Sequence, residues 1–287
     1  MNKRILIPSR GWRAALAAAT KHDPFDRGLR DDLRVLEAQA LGRRRLLELG
    51  VFATIGTALG CDAVADGSGL GTEADAGGAS CSLIPPETAG PYPGDGTNGP
   101  DALGLSGIVR RDIRSSVAGA SGIAQGVPLN VELTIVDARS GCAPLEGYAV
   151  YAWHCDRDGN YSMYSAPVAN ENYLRGVQVS DASGLVFFDT VFPGCYSGRW
   201  PHVHFEVYSS LTLASNGRSA AVTSQLAFPE GACDEAYATS GYEASVQNLG
   251  RISLASDNVF SDGVGLQLAT MEGAVATGFV ARLTVPV

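Results

Sequence analysis

Pro193-Gly194-Cys195-Tyr196-Ser197-Gly198-Arg199-Trp200-Pro201-His202-Val203-His204-Phe205 is the stretch on which the reading of this chain turns. It opens on a Pro-Gly turn and closes on a β-branched and aromatic run in which His202 and His204 stand two apart. Side chains two apart on a strand leave by the same face, with Cα atoms roughly 6.5–7 Å apart, so both imidazoles can reach one point. The chain has 4 histidines and places two of them here. Tyr196, beyond the turn, can fold back toward the same point. A second phenol comes from Tyr161, in Trp153-His154-Cys155-Asp156-Arg157-Asp158-Gly159-Asn160-Tyr161-Ser162, where a strand signal runs out into a turn. A lone His-x-His pair is weak evidence for a ligand site, and either tyrosine alone reads as a core or rim residue. Together they make a donor set.

Outward from this stretch, short alternating runs recur between turn signals. Residues 130–137 (NVELTIVD) alternate polar and apolar and stop at Ser140-Gly141. Residues 148–154 (YAVYAWH) and 185–192 (LVFFDTVF) are rich in aromatic and β-branched side chains, and each ends at a Gly- or Pro-containing turn. Residues 203–208, 220–228 and 279–287 continue the pattern, while residues 234–247 carry a short helical signal. Many short strands with little helix predict an all-β domain, a β-sandwich, over residues 81–287.

The charge balance narrows the partners. Of 287 residues, 45% are hydrophobic and the net charge is −9. From Asp62 onward the chain has ten arginines, no lysine and 24 carboxylates, a balance of −14. A surface this acidic repels phosphate backbones, so nucleic acid is excluded as a partner.

The basic N-terminal part reads as an address. Arg43-Arg44-Arg45-Leu46-Leu47 has the form of a twin-arginine signal, and residues 49–60 (LGVFATIGTALG) supply an uncharged apolar run. That run is too short to span a bilayer and suits a signal segment. Cys61 follows Ala58-Leu59-Gly60, an imperfect lipoprotein cleavage box, and is the candidate for a lipid anchor. Residues 1–61 are therefore read as an export signal of the twin-arginine type. The alternative is a buried amphipathic helix flanked by arginines. Residues 62–80, rich in Gly, Ala and Asp, read as a flexible tether. The protein is expected outside the cytoplasm, membrane-anchored or free.

Two imidazoles with two phenolates differ from the Cys, His and carboxylate sets of ordinary zinc sites. Phenolate favours an oxidised iron ion, as where tyrosine ligates haem iron. At these residues the chain resembles the intradiol ring-cleavage dioxygenases, the family of catechol 1,2-dioxygenase and protocatechuate 3,4-dioxygenase. The likeness is carried by Glu87-Thr88-Ala89-Gly90-Pro91-Tyr92, residues 153–162, 184–196 and 199–205, and Ser224-Gln225-Leu226. It implies one iron(III) per chain, with Tyr161 and His202 as equatorial and Tyr196 and His204 as axial ligands. It implies that Arg199 stabilises charge on the substrate, and that Tyr196 accepts a substrate proton. Gln225 supports the site from behind, Trp153 walls the pocket, and Tyr92 stands on the substrate side. The reaction implied is cleavage of a small aromatic diol by O2 between its two hydroxyl-bearing carbons, giving a cis,cis-muconate-type diacid.

The chain also departs from that family. The loop between Tyr196 and His202 is short, Ala227 stands where tyrosine is frequent, and the N-terminal helical dimerisation region has no counterpart. Homo-oligomerisation stays open. Besides Cys61, five cysteines allow at most two bridges, whose connectivity the sequence does not give. Cys155 and Cys195 are expected to be structural and not ligands. Two other classes of function remain at this stage: a transthyretin-like surface module that binds a diol or sugar without turnover, and a structural lipoprotein whose His-x-His pair takes metal adventitiously.

Overall fold

In a computed structural model, the described part of the chain is residues 81–287; the signal, tether and Cys61 readings lie outside these residues. Among the described residues, nine strands form two sheets. The strands are β1 (Pro128–Asp137), β2 (Ala143–Pro144), β3 (Ala149–Trp153), β4 (Arg175–Val179), β5 (Leu185–Val191), β6 (His202–Tyr208), β7 (Val222–Ala227), β8 (Thr270–Ala274) and β9 (Gly278–Pro286). One sheet runs β2-β1-β9-β8, with β5 also paired to β1; the other runs β4-β3-β6-β7. All pairings are antiparallel except β1 with β9. The expected β-sandwich is present.

The alternation seen in the sequence builds the core. Leu129, Val131, Leu133 and Ile135 of β1, Val186 and Phe188 of β5, and Phe279, Ala281 and Val285 of β9 face Val150, Ala152, Val203, Phe205, Val207 and Leu226 of the other sheet in one buried cluster. Each large apolar side chain so removed from water contributes about 1.5–3 kcal/mol.

The β4-β3-β6-β7 sheet differs from an ordinary sandwich sheet because its second face is buried too. Every residue of β6 is buried. Tyr151 and Trp153 of β3, Val177 of β4 and Tyr208 of β6 pack there against Ala102, Leu103, Ile108, Tyr161 and Tyr164 from the connecting segments. His202, His204 and Glu206 leave β6 by this second face, under the connecting chain and out of water.

Two short helices stand where one was expected, α1 (Glu230–Tyr237) and α2 (Glu243–Leu249). Their work is to hold the chain after β5. Tyr237 donates its hydroxyl to Pro193 O (3.0 Å) and Tyr242 to Phe192 O (2.8 Å). Ser245 Oγ accepts from Cys195 N (2.9 Å), and Asn248 Nδ2 donates to Cys195 O (2.8 Å). Cys81 and Cys142 form a disulfide across 61 residues, while Cys155, Cys195 and Cys233 are buried free thiols. The fold thus uses one bridge of the two that the count allowed.

Candidate metal centre

Four donor side chains arrive at one place by three routes. His202 and His204 come from one strand, and their Nε2 atoms lie 3.0 Å apart. Tyr161 comes from the loop after β3. There Asp156 Oδ1 accepts from Asp158 N and Asn160 N, closing the turn, and Gly194 N donates to Asp156 O, tying this loop to the one that carries Tyr196. Gly159 (φ +86°) is needed in that turn, because a Cβ would meet Tyr196 Cβ at 3.0 Å. Tyr196 comes from the segment fixed by α1 and α2.

The hydroxyls of Tyr161 and Tyr196 are 3.5 Å apart, and they lie 3.4 and 3.3 Å from His202 Nε2. A near-equilateral triangle with such edges has its centre about 2 Å from each corner, the length of a first-row metal's bond to N or O. Among the described residues no group of three or more His, Cys, Asp or Glu could hold a metal. Phenols fall outside that donor set, and here they complete the cluster.

The protonation of the four groups fits a cation. Burial, and then the charge of Arg199, holds His202 well below its ordinary range; burial, and then His202, does the same for His204. Both rings are neutral, the form that ligates. The Nδ1 of His202 lies against Trp200 O, which fixes the proton on Nδ1 and leaves the Nε2 lone pair for the cluster. Burial pushes both phenols up. A buried phenolate needs a cation beside it, and a bound metal ion is the strongest local source of positive charge. The residues present therefore fit a hard, oxidised ion.

Around the donors, Trp153 lies flat on the His204 ring, with centroids 4.9 Å apart and planes at 5°, and it is wholly buried. It sets the orientation of that imidazole. Tyr92 packs on the Tyr161 ring at 4.9 Å and on Tyr164 at 5.3 Å. Arg175, itself buried, donates to Tyr92 O, Pro93 O, Ser162 O and Tyr151 OH, and so staples the 92–93 segment beside the site. Gly90 (φ +70°) closes over His204, where a Cβ would lie 3.4 Å from the ring.

Arg199 is nearly buried. Its Nη2 donates to Gln225 Oε1 (2.7 Å), and Gln225 Nε2 donates to Thr88 O (2.8 Å). The guanidinium favours the charged form of both Tyr161 and Tyr196. The structure thus brings Tyr161, Tyr196, His202, His204, Arg199, Gln225, Trp153 and Tyr92 to one region. It adds Asp257, Phe260, Tyr164 and Arg175, which the sequence reading passed over. Asp257, 58 residues from Arg199, carries no local signal in the sequence. A groove of about 340 Å³ on the outer face of the other sheet, lined by Glu132, Thr134, Leu268 and Arg282 among others, holds no such cluster.

No protein-family model and no curated protein matches the sequence. Solved structures do. An intradiol ring-cleavage dioxygenase from Tetranychus urticae is 27% identical, over 72% of this chain and 94% of that one, with a TM-score of 0.56. The dioxygenase domain of a dioxygenase carbohydrate-binding protein fusion from Streptomyces sp. SirexAA-E is 20% identical, over 72% and 98% of the two chains, at a TM-score of 0.45. Catechol 1,2-dioxygenase from Pseudomonas arvilla C-1 is 18% identical, over 63% and 58%, at 0.39. The described domain has the intradiol ring-cleavage dioxygenase fold.

Proposed function

We propose that this protein is an exported iron(III)-dependent dioxygenase that cleaves a catechol-type diol between its hydroxyl-bearing carbons. The observation that carries the reading is the convergence of two imidazoles and two phenols: the Tyr161 and Tyr196 hydroxyls and His204 Nε2 all lie within 3.0–3.4 Å of His202 Nε2, and the two hydroxyls are 3.5 Å apart. Tyr161, Tyr196, His202 and His204 would hold one ferric ion per chain. Bound there, the ion supplies Lewis acidity, which lowers the pKa of both diol oxygens.

The protein's own groups do the rest. Tyr196 is the half-buried member of the four, and its phenol, whose burial raises its proton affinity, would accept a proton from the incoming diol. Arg199, fixed from behind by Gln225, presents a rigid cation to negative charge developing on the ring, an effect worth on the order of 10²–10³ in rate for a preorganised donor. Tyr92 supplies an aromatic surface beside Tyr161 against which a planar ring can lie. Trp153 keeps His204 from rotating. Catechol and O2 combine with both oxygen atoms retained in a cis,cis-muconate-type diacid. The Cys81–Cys142 disulfide suits an oxidising compartment, which supports export through the arginine-led N-terminal segment.

Oxygen uptake by the iron-loaded protein with catechol tests the reading, with the product identified by its mass and ultraviolet absorption. One O2 consumed per diol and a ring opened between the hydroxyls is the expected result. Diol binding without oxygen consumption would assign the protein to the non-catalytic binding class instead.

A further inference from the structure

Arg199 is held by more than Gln225. Its Nε donates to Asp257 Oδ2 at 3.0 Å, and Asp257 is completely buried. The same oxygen accepts from Trp200 N (2.7 Å), while Oδ1 accepts from Val259 N (2.8 Å) and Phe260 N (3.1 Å). One carboxylate therefore takes four N–H donors. Burial pushes its pKa up, but the charge of Arg199 and the N–H groups of Trp200 and Val259 outweigh this and hold it below the usual carboxylate range.

The consequences reach the site by two paths. The guanidinium is clamped at Nε by Asp257 and at Nη2 by Gln225, and its carbon stands 5.9 Å from the centre of the Phe260 ring, which Asp257 also anchors. Neither bond occupies Nη1. The second path is backbone: Asp257 fixes the N–H of Trp200, and the carbonyl of Trp200 fixes the Nδ1 of His202.

Resting on the dioxygenase reading above, we infer that Asp257 is a positioning residue for the reaction, locking the Arg199 guanidinium in place and steadying His202 through Trp200. A buried ion pair contributes little net stability, because desolvation offsets attraction. Its value here is geometric, since an arginine loose by 1 Å loses much of its catalytic effect.

The test is a cycle of four iron-loaded proteins: wild type, Asp257→Asn, Arg199→Ala and the double variant. Each is measured for oxygen uptake with catechol, iron content and melting temperature. In Asp257→Asn one oxygen becomes an NH2 group, so either Arg199 Nε and Trp200 N or Val259 N and Phe260 N lose their acceptor, and in both orientations the negative charge facing the guanidinium is gone. The kcat of this variant is expected to fall about 10–100-fold, with iron content kept and KM changed less than about threefold. The double variant is expected to turn over no more slowly than Arg199→Ala alone, since residues acting through one contact are not additive. Turnover of Asp257→Asn within about twofold of wild type, or losses that multiply in the double variant, would overturn the inference and leave the dioxygenase reading standing. Absence of oxygen uptake in the wild type would overturn both. If Asp257→Asn does not accumulate as folded protein, Asp257→Glu serves instead, because the added methylene displaces the guanidinium; an unchanged kcat there overturns the inference.

Discussion

At the scale of single residues, the account depends on two phenols whose burial opposes ionisation and whose ionisation a bound cation restores. Tyr161 is the cleaner one to remove, since its ring stays packed against Tyr92 whether or not it bears a hydroxyl. In Tyr161→Phe the visible band of the iron-loaded protein is expected to weaken and shift, while the melting temperature changes little. An unchanged spectrum takes Tyr161 out of the centre. His202 and His204 were legible because strand geometry alone places them on one face. Trp153 was legible as a neighbour of the site, but its flat stacking on His204 was not, because cross-strand register decides it: Trp153 pairs with His204 between β3 and β6. Asp257 was illegible because its partner lies far away in sequence and no local pattern marks a long-range ion pair.

At the scale of elements, β6 is the strand that joins fold to chemistry. Its odd-numbered residues, Val203, Phe205 and Val207, fill the sandwich core, and its even-numbered ones leave by the opposite face, where His202 and His204 reach the site. The two roles are mechanically coupled, since any shift of the strand moves both imidazoles. Phe205→Ala removes a fully buried ring and is expected to cost about 3–5 kcal/mol, read as a lower urea midpoint. A cost below about 1 kcal/mol would mean that the core face of β6 is not packed as described. Strands with clean alternation, such as β1 and β9, could be read from sequence. β4 and β8 could not. In β4 (RGVQV) Gly176 breaks the apolar pattern, and a Cβ there would meet Ile113 Cγ2. In β8 (TMEGA) no residue is fully buried, so no alternation was selected.

At the scale of the whole molecule, a disulfide, Cys81–Cys142, ties the first of the described residues to the turn after β1. Closing a loop of 61 residues restricts the unfolded chain by about 4 kcal/mol in the chain-entropy picture. Replacing both cysteines by serine is therefore expected to lower stability measurably under oxidising conditions and to have no effect on iron content; a loss of iron would place the bridge in the architecture of the centre. The central claim, that two tyrosines and two histidines of this domain hold ferric iron, is tested most directly by the visible absorption spectrum of the protein loaded with one equivalent of iron(III). The expected result is a broad tyrosinate-to-iron charge-transfer band that gives a burgundy colour and shifts when catechol is added. A protein that binds the iron yet shows no such band, or leaves the iron unbound, would contradict the account.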